Sequence, residues 1–267
     1  MHRRSTIASY DWSQGRIDKN NSADPERSRN RRITRHRTQL GIGLPVVAGP
    51  THAVTAVFGY QFERFDGVPL VDRRLDLHRI SFGLPLSLRL TQRWSLKGTP
   101  LFAYSGTMKQ YDRRALLFVG YVGAAARLHA DVSGRFGVVV LPLPRGYLPL
   151  PALGLDWRPA PTLRVHIRLP QTTEMQVLLG KRGEVFGGLY WQRSRAYLEE
   201  SQSALYRNAI ELSAGYRYPL PFDLAVEVRF GSLLRRTFDF ASTPGTELSS
   251  SLGWIVGARL LRSIPAL

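Results

Sequence analysis

Apolar and polar residues alternate along most of this chain, and no other feature restricts its fold as strongly. Across residues 79–90 every even position is Ile, Phe or Leu, whereas the odd positions hold Arg, Ser, Gly or Pro. The same period of two recurs in the segments 54–62, 210–218, 222–230 and 252–260. Successive side chains of a β-strand point to opposite faces, so each segment has one apolar and one polar face. No comparable stretch has the helical period, and the pattern predicts an all-β chain.

The length of the alternating segments favours a membrane barrel over a soluble sandwich. Many segments alternate over ten or more residues. Strands of soluble proteins usually have about 5–6 residues, whereas strands that cross a membrane need roughly 9–11. A helical span is excluded because no run approaches roughly 18 consecutive apolar residues. The chain also has no cysteine, which excludes disulfides, thiolate catalysis and zinc–thiolate sites.

The connections between the predicted strands are alternately long and short, as in outer-membrane barrels with long external loops and short periplasmic turns. We therefore predict a single antiparallel transmembrane β-barrel over residues 1–267, with about 14 strands. Two short connections, at 144–147 and 170–173, break the alternation, so that about 12 strands are also compatible with the pattern. The predicted strands cover residues 3–16, 32–48, 51–65, 75–90, 94–106, 114–129, 134–143, 148–158, 162–169, 174–180, 184–198, 207–219, 222–236 and 250–264.

Aromatic residues lie near many of these strand ends, as in the girdles at the two membrane interfaces. The general preference of aromatic residues for strands is the alternative explanation. The residues concerned are Trp94, Tyr104, Trp157, Tyr190, Trp191, Tyr197, Tyr218 and Trp254.

Several short motifs resemble those of an uncharacterised family of bacterial outer-membrane β-barrels. The most specific are the runs LPLPRG from Leu141 and LPLPALGLDWRP from Leu148, and ASYDWS from Ala8 and TQRWS from Thr91 are similar to other marks of the family. The chain departs from such barrels in ending on Leu267 instead of an aromatic residue. The resemblance implies a barrel fold with no established activity, and it brings no catalytic residues.

Arginine clusters fall on the predicted long-loop rim of a chain with a formal net charge of +17. Guanidinium groups bind phosphates in a bidentate manner, and the outer leaflet presents lipopolysaccharide phosphates. We predict that this rim binds lipopolysaccharide; nucleic-acid binding and solvated loop charges without a partner are the alternatives. Nucleic acid is disfavoured because stacking aromatics do not alternate with the basic residues. The predicted phosphate-binding residues are Arg29, Arg31, Arg32, Arg73, Arg74, Arg113, Arg114, Arg235 and Arg236.

The polar faces of the strands predict a lumen in which cations outnumber carboxylates. Such a lumen is either packed with Arg–Glu pairs, which would plug a narrow barrel, or water-filled and mildly anion-selective. We favour a narrow or gated pore. The residues predicted to line it are Arg79, Arg89, Lys97, Arg164, His166, Arg168, Glu174, Glu211, Arg217, Glu227 and Arg229.

The two Leu-Pro runs predict a weak place in the barrel wall. If residues 145–148 form the turn, Pro142 faces Pro151 and Pro144 faces Pro149 across one hairpin. Proline cannot donate to the strand ladder, so either this hairpin or its two outer seams must lose hydrogen bonds. The weak seam would serve as a lateral gate for an apolar substrate. Alternatively, the prolines lie outside the hydrocarbon layer, where water satisfies the carbonyls.

Enzymatic chemistry finds little support in the residues. His78 and Ser81, the nearest pair for a lipid hydrolase, are three apart and so lie on opposite faces of a strand. The histidines have no metal-ligand spacing, and we expect no cofactor. The sequence therefore predicts a bacterial outer-membrane barrel, either a pore for small, slightly anion-preferring solutes or a structural surface protein. The alternative is a lipid-directed enzyme or a transporter of hydrophobic substrates.

Overall fold

The computed structural model describes residues 2–17, 32–68, 74–143, 146–241 and 247–265. Its strands form one sheet, in which β1 pairs with both β2 and β15, so the sheet closes into a barrel. The segments β4 and β5 are halves of one barrel strand, interrupted at Leu84 and Pro85, and the barrel therefore has fourteen strands. The segments are β1 (His2–Ile17), β2 (Arg32–Ala48), β3 (His52–Asp66), β4 (Arg74–Gly83), β5 (Leu86–Arg89), β6 (Trp94–Gly106), β7 (Leu116–Arg127), β8 (Val132–Leu143), β9 (Gly146–Ala160), β10 (Leu163–Leu169), β11 (Thr172–Leu178), β12 (Glu184–Leu198), β13 (Ser203–Pro219), β14 (Leu224–Phe240) and β15 (Glu247–Pro265).

The prediction of a fourteen-strand antiparallel barrel is confirmed, and the alternative of twelve is wrong. The two connections that break the alternation are tight hairpins on the long-loop rim, β8–β9 and β10–β11. Two of the predicted long loops are shorter than expected, since β13 begins at Ser203 and β14 continues to Phe240.

An apolar surface surrounds the barrel. The outward-facing side chains of most strands are exposed, and outward polar residues are sparse at mid-height, which is the lipid-facing pattern of a membrane barrel. Among the predicted girdle residues Trp94, Trp157, Tyr218 and Trp254 are exposed, whereas Tyr197 is buried. Among the described residues there is no helical segment that could span a bilayer. The exposed apolar side chains include Leu40, Ile42, Phe58, Ile80, Leu96, Phe102, Val122, Phe136, Leu153, Leu189, Leu212 and Phe230.

The barrel narrows toward its long-loop end. Gly106, at the end of β6, pairs with His78 of β4 on one side and, in parallel, with Tyr197 of β12 on the other. The amide of Thr107 donates to the Tyr197 carbonyl at 3.2 Å. The five strands β7–β11, which separate β6 from β12 around the sheet, are left out of the ring at this level. Fourteen strands less these five leave a ring of nine.

An apolar cluster, here called the apolar plug, fills this narrow ring. Its members are inward-facing residues of β2, β3, β4, β12, β13, β14 and β15 together with Val68. The rings of Phe65 and Phe238 meet edge to face with centroids 5.5 Å apart, and neither residue is exposed. The plug closes the lumen at the long-loop end. Its members are Ile33, Phe65, Val68, Leu75, Leu77, Ala196, Leu198, Leu205, Phe238, Phe240 and Leu248.

The prolines of the Leu-Pro runs do not face one another, so the predicted register is wrong. Pro142 pairs with Tyr147, Val140 with Pro149, and Val138 with Pro151, because the hairpin turns two residues earlier than expected. Backbone pairing between β8 and β9 continues up to their turn. The pairings that end early are those of β8 with β7 and of β9 with β10. On the β7 side pairing ends at Val140, and on the β10 side it ends at Leu153. We call residues 141–143 and 146–152, which have strand partners only within this hairpin, the Leu-Pro hairpin.

Candidate functional site in the barrel interior

A packed network of charged side chains fills one half of the lumen. Its upper part is centred on Glu63, whose Oε1 lies 2.7 Å from Arg207 Nη1 and 4.0 Å from both Arg35 Nη1 and Arg37 Nε. Arg35 Nη1 also lies 3.6 Å from Glu211 Oε1, and Arg35 and Glu211 are fully buried. Because the alternation places these residues on the inner faces of β2, β3 and β13, their charges meet across the barrel.

The lower part of the network is centred on Arg217 of β13. Its guanidinium pairs with Glu184 at 2.7 Å, with Glu174 at 3.1 Å and also with Glu227. In a third group, Arg229 Nη2 lies 2.8 Å from Asp11 Oδ1, and Arg259 Nη1 lies 3.5 Å from Glu227 Oε1. This ionic network spans β1–β3 and β11–β15, which leaves little free volume on that side of the barrel.

The free volume of the lumen lies on the opposite side, along β5–β10. A vestibule of about 180 Å³ opens at the short-turn rim, with Arg89, Lys97, Arg127 and Arg135 in its wall. Deeper in the lumen is a cavity of about 320 Å³, which we call the Arg135–Arg168 cavity. Arg135 lines both spaces and therefore stands between them. Among the described lining residues of the two spaces, Asp156 is the single carboxylate.

The Arg135–Arg168 cavity combines apolar walls with two guanidinium groups. Arg135 pairs with Asp156, and Asp156 Oδ1 also lies 2.6 Å from His166 Nδ1. Arg168 is exposed to the cavity, and its side chain forms no hydrogen bond or ion pair within the described ranges. The Arg168 guanidinium is attracted by Asp156 and Glu174 but bonded to neither, so it can still bind an anion, whereas Arg135 is paired directly with Asp156. The apolar wall consists of Leu101, Val119, Tyr121, Val139, Ala152, Leu153, Leu169 and Pro170.

Paired glycines make room for Tyr121 in this cavity. Gly123 and Gly137 face each other across β7 and β8. A Cβ atom on Gly123 would lie 2.5 Å from the Tyr121 hydroxyl oxygen, and one on Gly137 would lie 3.0 Å from the tyrosine ring. A side chain larger than hydrogen at either position would therefore displace Tyr121 from the inner surface.

The residues predicted to line the lumen all lie on inward-facing positions, but they separate into two groups. Those of the first group belong to the ionic network: Glu174, Glu211, Arg217, Glu227 and Arg229. Those of the second group lie along β4, β5, β6 and β10: Arg79, Arg89, Lys97, Arg164, His166 and Arg168. Arg79 extends along the inner wall past β6 and donates to the Arg195 carbonyl of β12 at 3.2 Å. Whether either group lines a conducting path stays a prediction.

Sequence reasoning missed several members of the site. The alternation along β2 places Arg35 and Arg37 on the same inward face as Ile33, and this alternation could have identified them. Arg207 was predicted at the start of a strand, next to a loop, whereas β13 begins four residues earlier. Tyr190 was assigned to the girdle, but its hydroxyl donates to Glu174 inside the barrel. Further residues of the site absent from the predicted lining are Asp11, Glu63, Arg135, Asp156, Glu184 and Arg259.

The predicted phosphate-binding arginines occupy different environments. Arg29, Arg31 and Arg73 lie outside the described residues. Arg32 and Arg113 are exposed, whereas Arg74 is exposed but pairs with Asp76 at 2.7 Å. Hydrogen bonds from the side chain and backbone of Arg114 lower the pKa of Asp112 to about 2, so Arg114 already has an anionic partner. The described members of the set are therefore not one continuous cluster.

Arg235 and Arg236 are part of β14 and not of a loop. A β-bulge shifts the register between Leu233 and Arg235, after which the odd residues face outward. Arg236 is consequently fully buried inside the barrel and donates to Ser13 Oγ at 2.5 Å. It cannot reach lipid from there. Arg235 points outward and lines a groove of about 290 Å³ with Arg193, Asn208 and other residues of β12–β14.

Other chemistry finds no organised site in the described residues. No group of three or more His, Asp or Glu side chains there could hold a metal ion. His78 accepts or donates a hydrogen bond at 2.8 Å with the Tyr60 hydroxyl on the outer face. Ser81 donates to the Gly59 carbonyl from the inner face, so the two residues do not form a catalytic pair.

Solved barrel structures are similar to this chain over nearly its whole length. The TodX monoaromatic hydrocarbon channel (deltaS2 mutant) is 9% identical, with a TM-score of 0.49 over 97% of this chain and 90% of that one. The KdgM porin in complex with disordered oligogalacturonate is 9% identical, with a TM-score of 0.38 over 96% and 99%. The NanC porin is 9% identical, with a TM-score of 0.39 over 94% and 98%.

Comparisons at the level of sequence give no relatives. No protein-family model matches the chain, and no curated protein matches it. The resemblance drawn from the Leu-Pro runs therefore stays a prediction. The described residues form a closed antiparallel β-barrel of fourteen strands.

Proposed function

We propose that this barrel is a gated outer-membrane passage for small anionic solutes. The observation that carries the proposal is the charge around the free half of the lumen. Arg89, Lys97, Arg135 and Arg168 surround the vestibule and the cavity, and Asp156 is the one carboxylate in their described linings. Basic side chains that line a narrow aqueous path favour anions. The apolar plug, which closes the long-loop end, supplies the gate, since apolar constrictions exclude water and ions.

The apolar surface of the barrel supports the proposed placement in the outer membrane. Outward-facing apolar side chains cover its middle, and a closed barrel leaves no strand edge unpaired in lipid. Long connections on one rim and short turns on the other match the external and periplasmic sides.

Ion selectivity in planar bilayers tests the proposal. In a KCl gradient we expect the open barrel to pass chloride in preference to potassium. The double variant Arg89→Gln/Arg168→Gln removes two cations from the path, so its reversal potential is expected to move toward zero. Arg16→Gln/Arg262→Gln removes the same charge from exposed outward positions and should leave the reversal potential unchanged. Cation selectivity of the unaltered protein, or equal values for the two double variants, would contradict the proposed passage.

We also propose that the outward groove beside Arg193 and Arg235 binds a lipopolysaccharide phosphate. The two arginines come from β12 and β14 and lie on either side of Asn208 of β13. The guanidinium groups and the Asn208 amide supply donors that suit a headgroup phosphate, and they outnumber the single carboxylate of the described lining, Asp239.

The lipid proposal predicts a difference between two matched variants. Arg193→Gln/Arg235→Gln is expected to lower the lipopolysaccharide that copurifies with the protein, measured by mass spectrometry. Arg16→Gln/Arg262→Gln, of equal charge, should retain the normal amount. If both variants retain lipopolysaccharide equally, the groove is not a phosphate site.

A further inference from the structure

The Arg135–Arg168 cavity has no straight route to the outside at the long-loop end. The apolar plug closes the nine-strand ring above it, and the β6–β12 junction at Gly106 and Tyr197 closes the wall of that ring. A solute that enters from the vestibule therefore has to leave either through the plug or through the side of the barrel.

The side wall next to the cavity is not held together by a continuous strand ladder. Pairing of β12 with β11 ends at Tyr190, and the Trp191 amide then donates to the Gln171 carbonyl in the β10–β11 turn. Above this turn, β12 has no described ladder partner on that side until Tyr197. The facing edge of β9, residues 146–152, also pairs only with β8. A gap in the backbone hydrogen bonding thus lies between the Leu-Pro hairpin and β12.

No strand ladder bridges this gap among the described residues, but the two sides are close together. The backbones of β8 and β12 approach each other here, and Val139 and Leu141 of β8 are buried. On the other side of the hairpin, the Tyr147 hydroxyl accepts a hydrogen bond from the Phe118 amide at 3.2 Å. Side-chain packing and one hydrogen bond resist separation less than a full ladder does, so the Leu-Pro hairpin can move outward without breaking the barrel below it.

The cavity reaches this part of the wall. Leu169, Pro170 and Gln171 of the β10–β11 turn are part of its lining, together with Leu153 at the last β9–β10 pair. Leu153 and Leu169 are more than half exposed on the outside of the barrel. The turn therefore separates the cavity from the lipid-facing surface.

The cavity lining is suited to an amphiphile with an anionic head. Apolar side chains form most of the wall, whereas Arg168 offers a cation without a hydrogen-bonded or ion-paired partner among the described residues. A simple inorganic anion would make no use of the apolar wall. We propose that the Leu-Pro hairpin is a lateral gate through which the Arg135–Arg168 cavity exchanges alkyl carboxylates with the outer leaflet. This inference rests on the proposed anionic passage and narrows its substrate class.

Spin-labelled fatty acid provides the test. The protein is reconstituted in phosphatidylcholine nanodiscs with a doxyl-labelled stearate, and empty nanodiscs define the lipid background in the electron paramagnetic resonance spectrum. We expect a saturable immobilised component that unlabelled stearate displaces and stearyl amide does not. Arg168→Gln should weaken binding roughly tenfold, because a charge-assisted hydrogen bond to the head is lost. Each methylene added to a short competing alkanoate should tighten binding about fourfold.

The gate is tested through the exchange rate of the bound label, compared at equal site occupancy because Gln171 also lines the cavity. Gln171→Cys, modified with a bulky maleimide, should slow exchange, whereas Lys181→Cys with the same label, at the other end of β11, should not. The chain has no cysteine of its own to interfere. Tyr147→Phe removes the hydroxyl that holds the hairpin and should speed exchange about fivefold.

The outcomes separate this inference from the proposed passage. No immobilised component, or one that neither Arg168→Gln nor the Gln171 label alters, overturns the lateral gate. If chloride selectivity persists in the same preparation, the passage stands and only the gate falls. If the Arg89→Gln/Arg168→Gln variant also leaves selectivity unchanged, the passage falls as well.

Discussion

Replacing Phe238 with alanine is expected to turn a mostly closed barrel into one that conducts steadily, with a mean conductance raised roughly tenfold. Phe238 is fully buried at the centre of the apolar plug, where its ring meets that of Phe65. Removal of the ring leaves a space that water can enter, and a hydrated gap no longer excludes ions. The measurement is single-channel recording in planar bilayers at neutral pH.

Two controls distinguish a change in gating from a loss of the folded barrel. Phe238→Leu preserves an apolar filling and should stay closed. Because a buried Phe→Ala change costs about 3–5 kcal/mol, gel mobility in cold and boiled detergent is used to verify that the variant is a folded barrel. A folded Phe238→Ala barrel with the conductance of the unaltered protein would show that the plug is not the gate.

Loss of the Glu63 carboxylate is expected to be the most destabilising single change in the ionic network. Its three arginine neighbours, Arg35, Arg37 and Arg207, would then lie in the barrel interior without this negative charge. Removing one partner of a buried ion pair costs about 3–5 kcal/mol, since an uncompensated charge is left behind. We therefore expect Glu63→Gln to lower the free energy of unfolding by that amount in urea titrations of the reconstituted barrel.

The exposed pair of Glu200 and Lys109 supplies the comparison. Glu200→Gln removes an ion pair at the loop surface, where water already screens the charges, so its effect should be far smaller. Adding Arg207→Gln to Glu63→Gln should recover part of the lost stability, because one of the unpaired cations is removed. Equal losses for Glu63→Gln and Glu200→Gln would mean that the lumen is hydrated enough to screen its own charges.

Much of the barrel was predictable because the period of two is a local property. The strands β2 and β12 have the predicted bounds, and the number of strands follows once the two tight hairpins are recognised. The inward orientation of Arg236, in contrast, could not be predicted from the local sequence. One extra residue in β14 reverses the faces, and nothing in the run Leu233, Leu234, Arg235 indicates where the bulge lies.

The features that determine the lumen depend on contacts between distant parts of the chain. Ile33 and Arg35 have the same inward phase, yet one enters the apolar plug and the other the ionic network. Which level of the lumen a residue occupies depends on the tilt and stagger of the strands around the whole barrel. The junction of Gly106 with Tyr197 joins residues that are far apart in sequence, and no local pattern predicts it.

The narrowing from fourteen strands to nine also gives the molecule a profile that tapers along the barrel axis. Barrel diameter grows roughly in proportion to strand number, so the long-loop end occupies less area than the short-turn end. Above the low wall of β7–β11, the outer leaflet gains room for lipid that the inner leaflet of the same bilayer does not have. A barrel with this profile takes up more area in the inner leaflet than in the outer one. Crowded copies would therefore favour a bilayer that is concave on its external side.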